Sequence, residues 1–128
     1  MAKRIAVIDD DPAFAEVLEE LLAEEGYTPQ VFQAGMADLP AVRTFRPDGI
    51  VLDIRMGSPQ AGWEILAALQ QDALVSATPI IICSADIRQP QDHAASWESR
   101  GYRTLGKPFD LDVLLGLLRE VVGGPSAP

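Results

Sequence analysis

Residues 3–12 read KRIAVIDDDP, and the fold is decided there. Ile5, Ala6, Val7 and Ile8 make a short apolar, β-branched run, which predicts a strand. Asp9, Asp10 and Asp11 follow at once, and Pro12 comes next. Asp11 is a good helix N-cap and proline is favoured at the first helical position, so a helix begins where the strand stops. Three adjacent carboxylates at such a junction repel one another and lose hydration beside a folded core. A bound cation would offset that cost.

The alternation continues outward. Phe14, Val17, Leu18, Leu21 and Leu22 recur at three- and four-residue steps and predict one apolar helix face, with Glu16, Glu19, Glu20, Glu24 and Glu25 mostly elsewhere and Gly26 ending the helix. YTPQVF (27–32) predicts an edge strand, because Pro29 lacks a ladder donor. MADLPAVRTF (36–45) predicts a helix that tolerates Pro40 in its first turn. DGIVLD (48–53) and PIIICSA (79–85) are the continuous apolar strands of a parallel sheet covered on both faces. GWEILAALQQD (62–72) predicts a helix whose apolar side is marked by Trp63, Leu66 and Ala67 or by Ile65 and Leu69, and QDHAASWESR (91–100) predicts a short polar helix. YRTLG (102–106) is a short strand, and LDVLLGLLREVV (111–122) is an amphipathic helix stopped by Gly123, Gly124 and Pro125. Five strands alternating with five helices predict an α/β fold with an open, doubly wound, mostly parallel sheet. Residues 1–122 are expected to form one domain, and 123–128 a flexible C-terminal tail.

Composition narrows the function. A chain of 128 residues with 48% hydrophobic side chains supports one core. Its net charge of −9, with no local basic patch, disfavours nucleic acid and anionic membrane surfaces as partners. No apolar run approaches the roughly 20 residues of a membrane span, and the N-terminus has acids where a signal peptide needs an apolar segment, so a cytoplasmic protein is expected. The lone Cys83, inside an apolar run, reads as a reduced buried thiol. Only Lys3 and Lys107 are lysines, which makes GKPF (106–109) stand out.

In doubly wound sheets the ligand crevice lies beyond the carboxyl ends of the strands. Asp9 and Asp10 end the first strand, Asp53 the third and Ser84 the fourth, and Lys107 follows the fifth. Mg²⁺ takes hard oxygen ligands and keeps several waters, so two or three carboxylates around a partly hydrated ion are a suitable set. A carboxylate kept ionised beside the ion can attack a phosphoryl group, and the acyl phosphate formed needs a metal, a lysine and a hydroxyl around its oxygens. Asp53, Lys107 and Ser84 match those roles.

AVIDDDP, DGIVLDIRM, IIICSA and GKPF, in this order and at these separations, resemble the receiver domain of two-component response regulators over nearly the whole chain. The resemblance implies a CheY-like, flavodoxin-like sheet of order 2-1-3-4-5. It also implies a phosphoacceptor at Asp53, served by a histidine kinase or a histidine phosphotransfer protein, with a downstream protein target. Mg²⁺, or Mn²⁺ in its place, would be held by Asp9, Asp10, Asp53 and the backbone carbonyl of Arg55, with Asp10 the more direct of the first pair. Ser84 and Lys107 would contact the phosphate, and the bond from Lys107 to Pro108 would be cis. Asp11 would mainly cap the helix, and a homodimer is one arrangement open to such a chain. Phosphotransfer and dephosphorylation would be the domain's own chemistry, not that of a conventional enzyme.

Three departures stand out. Family members usually carry a Met-Pro pair soon after the acceptor and a glycine eight residues on, whereas here Met56 precedes Gly57, Pro59 comes late and Gly62 is nine residues after Asp53. The family's aromatic switch position, three before the lysine, holds Thr104. Tyr102 is on the same strand face and is a possible substitute, although a surface tyrosine is the plainer expectation. The segment from Asp86 to Gly101, with Pro90 and Trp97, is also unusual. Arg55 and Asp86 each lie two residues past an active-site position and would modulate phosphoryl loss, as an ion pair over the phosphate or as two solvated charges. His93 reads as a solvated residue, and Trp63 and Trp97 as packing residues. Two alternatives compete with the receiver reading: a receiver-like interaction module that works without phosphorylation, and a Mg²⁺-dependent aspartyl-phosphate phosphohydrolase. Arg55 stands where such a hydrolase needs its second acid, and no cap domain is expected within these 128 residues.

Overall fold

A computed structural model describes residues 3–33, 35–53, 61–84, 102–106 and 110–123. In chain order these form β1 (Arg4–Ile8), α1 (Pro12–Glu24), β2 (Thr28–Phe32), a 3₁₀ turn (Gly35–Asp38), α2 (Leu39–Phe45), β3 (Gly49–Asp53), α3 (Ala61–Gln71), β4 (Ile80–Ser84), β5 (Arg103–Gly106) and α4 (Leu111–Val122). The five strands are parallel in the order β2-β1-β3-β4-β5. Pro29 therefore lies on an edge strand, as its missing donor requires. The helix expected over 91–100 lies outside the described residues.

Strand alternation sorts the core into two layers. Ala6, Ile8, Ile50, Leu52, Ile80 and Ile82 face one way, onto Val42 of α2 and Ile65, Leu66 and Leu69 of α3. Ile5, Val7, Val51, Ile81 and Cys83 face the other, onto Leu18 and Leu22 of α1 and Leu114, Leu115 and Leu118 of α4. Each fully buried Leu or Ile contributes about 1.5–3 kcal/mol, so both layers are needed to offset the chain entropy of a domain this size. Cys83 is buried in the second of these layers, in agreement with its apolar sequence context.

Helix α1 starts as its sequence predicts. Asp11 accepts hydrogen bonds from the amides of Ala13 at 3.1 Å and Phe14 at 3.4 Å, with Pro12 in the first turn. Its buried stripe is Ala15, Leu18 and Leu22, while Val17, assigned to that stripe from the sequence, is 51% exposed. Ala15, Leu18 and Leu22 follow one another at three- and four-residue steps and so share one face, from which Val17 is turned away. In α3 the buried residues are Ile65, Leu66 and Leu69, Trp63 is partly buried against the core and Ala67 is exposed.

Tyr102 needs a larger correction. It precedes β5 and is fully buried in the layer of Ile80 and Ile82, not on the surface. A strand residue of that parity points toward α3, where its ring fills core volume, and its buried hydroxyl has no hydrogen-bond partner among the described residues.

At the amino ends of the strands, backbone and side chain fix the register between β1 and β3. The amide of Arg4 donates to Asp48 Oδ2 at 2.8 Å, and the amide of Asp48 donates to the Arg4 carbonyl at 2.7 Å. Ile5 is thereby set opposite Gly49 and Ile8 opposite Leu52.

Candidate functional site: an acidic cluster at the carboxyl ends of the strands

That register builds the site. With Ile8 level with Leu52, the residues one step further on, Asp9 and Asp53, come out side by side at the carboxyl end of the sheet. Asp53 is the last residue of β3, opposite Cys83 of β4, and Ser84 ends β4 with its backbone opposite Gly106. The neighbouring strand β2 holds Asp9 from the other side, because the Asp9 amide donates to the Phe32 carbonyl at 3.2 Å. Asp9 and Asp53 are 3% and 9% exposed, and Asp10 is exposed.

One carboxylate oxygen from each of Asp9, Asp10 and Asp53 lies within 4.8 Å of the others. The donor set suits a hard divalent ion. Oxygens about 2.1 Å from an octahedral Mg²⁺ stand about 3 Å apart when adjacent and about 4.2 Å apart when opposite, so the carboxylates need only small side-chain adjustments to share one. Two of the three acids are buried, where water screens like charges poorly, and a cation among them removes the repulsion.

Asp11 contributes more than the sequence assigns to it. Besides capping α1, it donates its own amide to Asp9 Oδ1 at 2.9 Å. This is the side-chain-to-backbone pattern of an Asx turn, in which an aspartate accepts from the amide two residues on, and the Asp-x-Asp spacing is its signal in the sequence.

The structure brings together three of the residues expected at the site, Asp9, Asp10 and Asp53, from two strand ends that are far apart in sequence. Thr104 lies on β5 opposite Ile82 and is half-buried. Arg55, Asp86, Lys107 and Pro108, with the altered loop after Asp53 and with His93 and Trp97, lie outside the described residues.

A parallel five-stranded sheet of order 2-1-3-4-5 with acids at the carboxyl ends of β1 and β3 defines a CheY-like, doubly wound fold. Comparison with known proteins agrees. The model of the response regulator receiver domain family matches residues 5–119, and the chain belongs to that family. The DNA-binding response regulator MtrA of Mycolicibacterium smegmatis is 34% identical over 119 residues, which span 93% of this chain and 50% of MtrA. The chain thus spans about half the length of the curated relatives it matches. Among solved structures, the chemotaxis protein CheY4 of Vibrio cholerae superposes with a TM-score of 0.80 at 22% identity, over 94% of this chain and 99% of CheY4. The receiver domain of the sensor histidine kinase PA1611 from Pseudomonas aeruginosa, solved with a magnesium ion coordinated in its active-site cleft, superposes with a TM-score of 0.74 at 21% identity, over 97% of this chain and 100% of that domain. Receiver domains work in phosphorylation-dependent signalling, and the acidic cluster found here fits the phosphoacceptor site of such a domain. No helix among the described residues is long and apolar enough to cross a membrane.

Proposed function

We propose that Asp53 is the phosphoacceptor of this receiver. The observation that carries the reading is the placement of Asp53: last in a buried central strand, 9% exposed, with a carboxylate oxygen within 4.8 Å of those of Asp9 and Asp10. A carboxylate oxygen of Asp53 attacks phosphorus, the bond from phosphorus to the donor's histidine nitrogen breaks, and the electron pair and a proton go to the departing imidazole. The donor is a histidine kinase or a histidine phosphotransfer protein, as family membership supports.

Asp9, Asp10 and Asp53, with the backbone carbonyl of Arg55, would hold Mg²⁺, and Mn²⁺ would serve the same ligands. When bound, the ion supplies charge neutralisation at the phosphoryl oxygens. Burial of Asp9 and Asp53 excludes water from one side of the acceptor, which favours transfer over hydrolysis. Ser84 and Lys107 complete the phosphate contacts, and Arg55 and Asp86 modulate phosphoryl loss. The domain's own transfer and release of the phosphoryl group is its only covalent chemistry, and its output is a phosphorylation-dependent contact with a protein target.

Tyr102 takes the role of the switch ring in place of Thr104. Its support is a fully buried ring whose hydroxyl has no hydrogen-bond partner among the described residues, an inward state that carries a cost which outward rotation would remove.

The test is intact mass after incubation with MgCl₂ and phosphoramidate, for the parent protein, for Asp53→Asn and for a chelated control. A single phosphoryl adduct that requires the metal and is lost in Asp53→Asn is expected. An unchanged adduct in Asp53→Asn would place the acceptor elsewhere, and no adduct in the parent would leave a module that works through constitutive contacts.

A further inference from the structure

Asp9 is clasped from two sides. Its amide donates to the Phe32 carbonyl at the end of β2, and its Oδ1 accepts the Asp11 amide at 2.9 Å. The direction of that second donor is set by the start of α1. Asp11 has an extended backbone, φ −85° and ψ 106°, and its Oδ1 accepts from the amides of Ala13 and Phe14, so closing the first helical turn. The same residue therefore secures the helix with its side chain and the carboxylate of Asp9 with its backbone.

We propose that Asp11 is a positioning residue for the cation site: by capping α1 it holds the orientation of Asp9, and cation binding in turn tightens the first turn of α1. This rests on reading the acidic cluster as a divalent-cation site. Without the cap, the first turn frays, the Asp11 amide loses its fixed direction, and Asp9 must be ordered when the ion arrives. The ordering cost then appears as weaker binding, and because linkage is reciprocal the bound ion stabilises the turn by the same factor.

A purely electrostatic role for Asp11 gives a different pattern, because its own carboxylate is close in sequence to the cluster and would attract a cation whether or not it capped the helix. Side chains separate the two. Asparagine and serine cap a helix nearly as well as aspartate but carry no charge, and alanine does neither.

The experiment titrates the whole chain with MgCl₂. It uses calorimetry for affinity and amide hydrogen exchange by NMR for Ala13 and Phe14, in the parent, Asp11→Asn, Asp11→Ser and Asp11→Ala. Parent, Asn and Ser proteins are expected to bind within about twofold of one another, and Asp11→Ala about fivefold more weakly, the size of a typical lost N-cap. Mg²⁺ is expected to slow exchange at Ala13 and Phe14 in the three capped proteins. Equal affinity in Asp11→Ala and the parent would overturn the positioning role, and so would losses in Asp11→Asn and Asp11→Ser as large as in Asp11→Ala, the signature of charge alone. No Mg²⁺ binding in the parent would overturn the cation-site reading and this inference with it, whereas intact binding with no dependence on the cap removes only the role of Asp11.

Discussion

Val122, at the end of α4, occupies the space that a side chain at Gly49 would need: a Cβ built on Gly49 stands 2.5 Å from Val122 Cγ2 and 3.4 Å from Ile5 Cδ1. Glycine at the first position of β3 thus lets the last turn of α4 close over the amino end of the sheet. Gly49→Ala is expected to destabilise the protein by about 1–3 kcal/mol, because overpacking forces a β-branched neighbour to move. Adding Val122→Ala removes the clashing methyl and should restore most of the loss. Urea unfolding of the two single variants and the double variant measures the coupling, and additive losses would show that the contact is not the cause.

The buried hydroxyl of Tyr102 gives a prediction of opposite sign. It is fully buried and has no hydrogen-bond partner among the described residues, and such a group costs about 1–3 kcal/mol relative to its hydrated state. Tyr102→Phe keeps the ring and removes that cost. Stability should rise by about 1 kcal/mol, which for a domain of this size is a gain of about 4 °C in melting temperature. A lower melting temperature would mean that the hydroxyl is satisfied in solution.

Tyr27 ties the start of β2 to the end of α4, its hydroxyl donating to the Gly123 carbonyl at 3.2 Å. Burial raises its pKa above the ordinary value of 10.0, an effect opposed by Arg119 and reinforced by Glu25, which pair with each other at 3.2 Å. The folded protein thus keeps the Tyr27 proton to a higher pH than the unfolded chain does. The associated stability is fully present below the unfolded value and is lost as pH rises through the folded one. Tyr27→Phe should lower stability at neutral pH by about 1 kcal/mol through the lost hydrogen bond, and should flatten the decline above about pH 10. Melting temperatures of both proteins from neutral to alkaline pH check the two effects separately, and parallel alkaline declines would assign the sensitivity to another group.

Much of this was legible in the chain. Apolar runs with β-branched residues marked β1, β3 and β4, the Asp11-Pro12 pair marked the start of α1, and Pro29 marked an edge. These signals act within a few residues, through backbone sterics and capping, so a linear sequence carries them. The acids that end β1 and β3 were also visible as candidates, because the crevice of a doubly wound sheet follows from strand direction.

Contacts between distant segments needed the tertiary structure. The Arg4 to Asp48 hydrogen bonds set the register that puts Asp9 beside Asp53, and one residue of slip would turn alternate side chains to the wrong face. Ala15 is buried and Val17 is exposed because the face of α1 that packs on the sheet is the one carrying Leu18 and Leu22, and Ala15 shares it at a three-residue step. Tyr102 went inward because core volume beside Ile80 and Ile82 accepts a ring whose hydroxyl alone would favour the surface. Local chemistry along the chain determined which elements form, and the packing of those elements decided which side chains meet, since burial is a property of neighbours that the linear order does not contain.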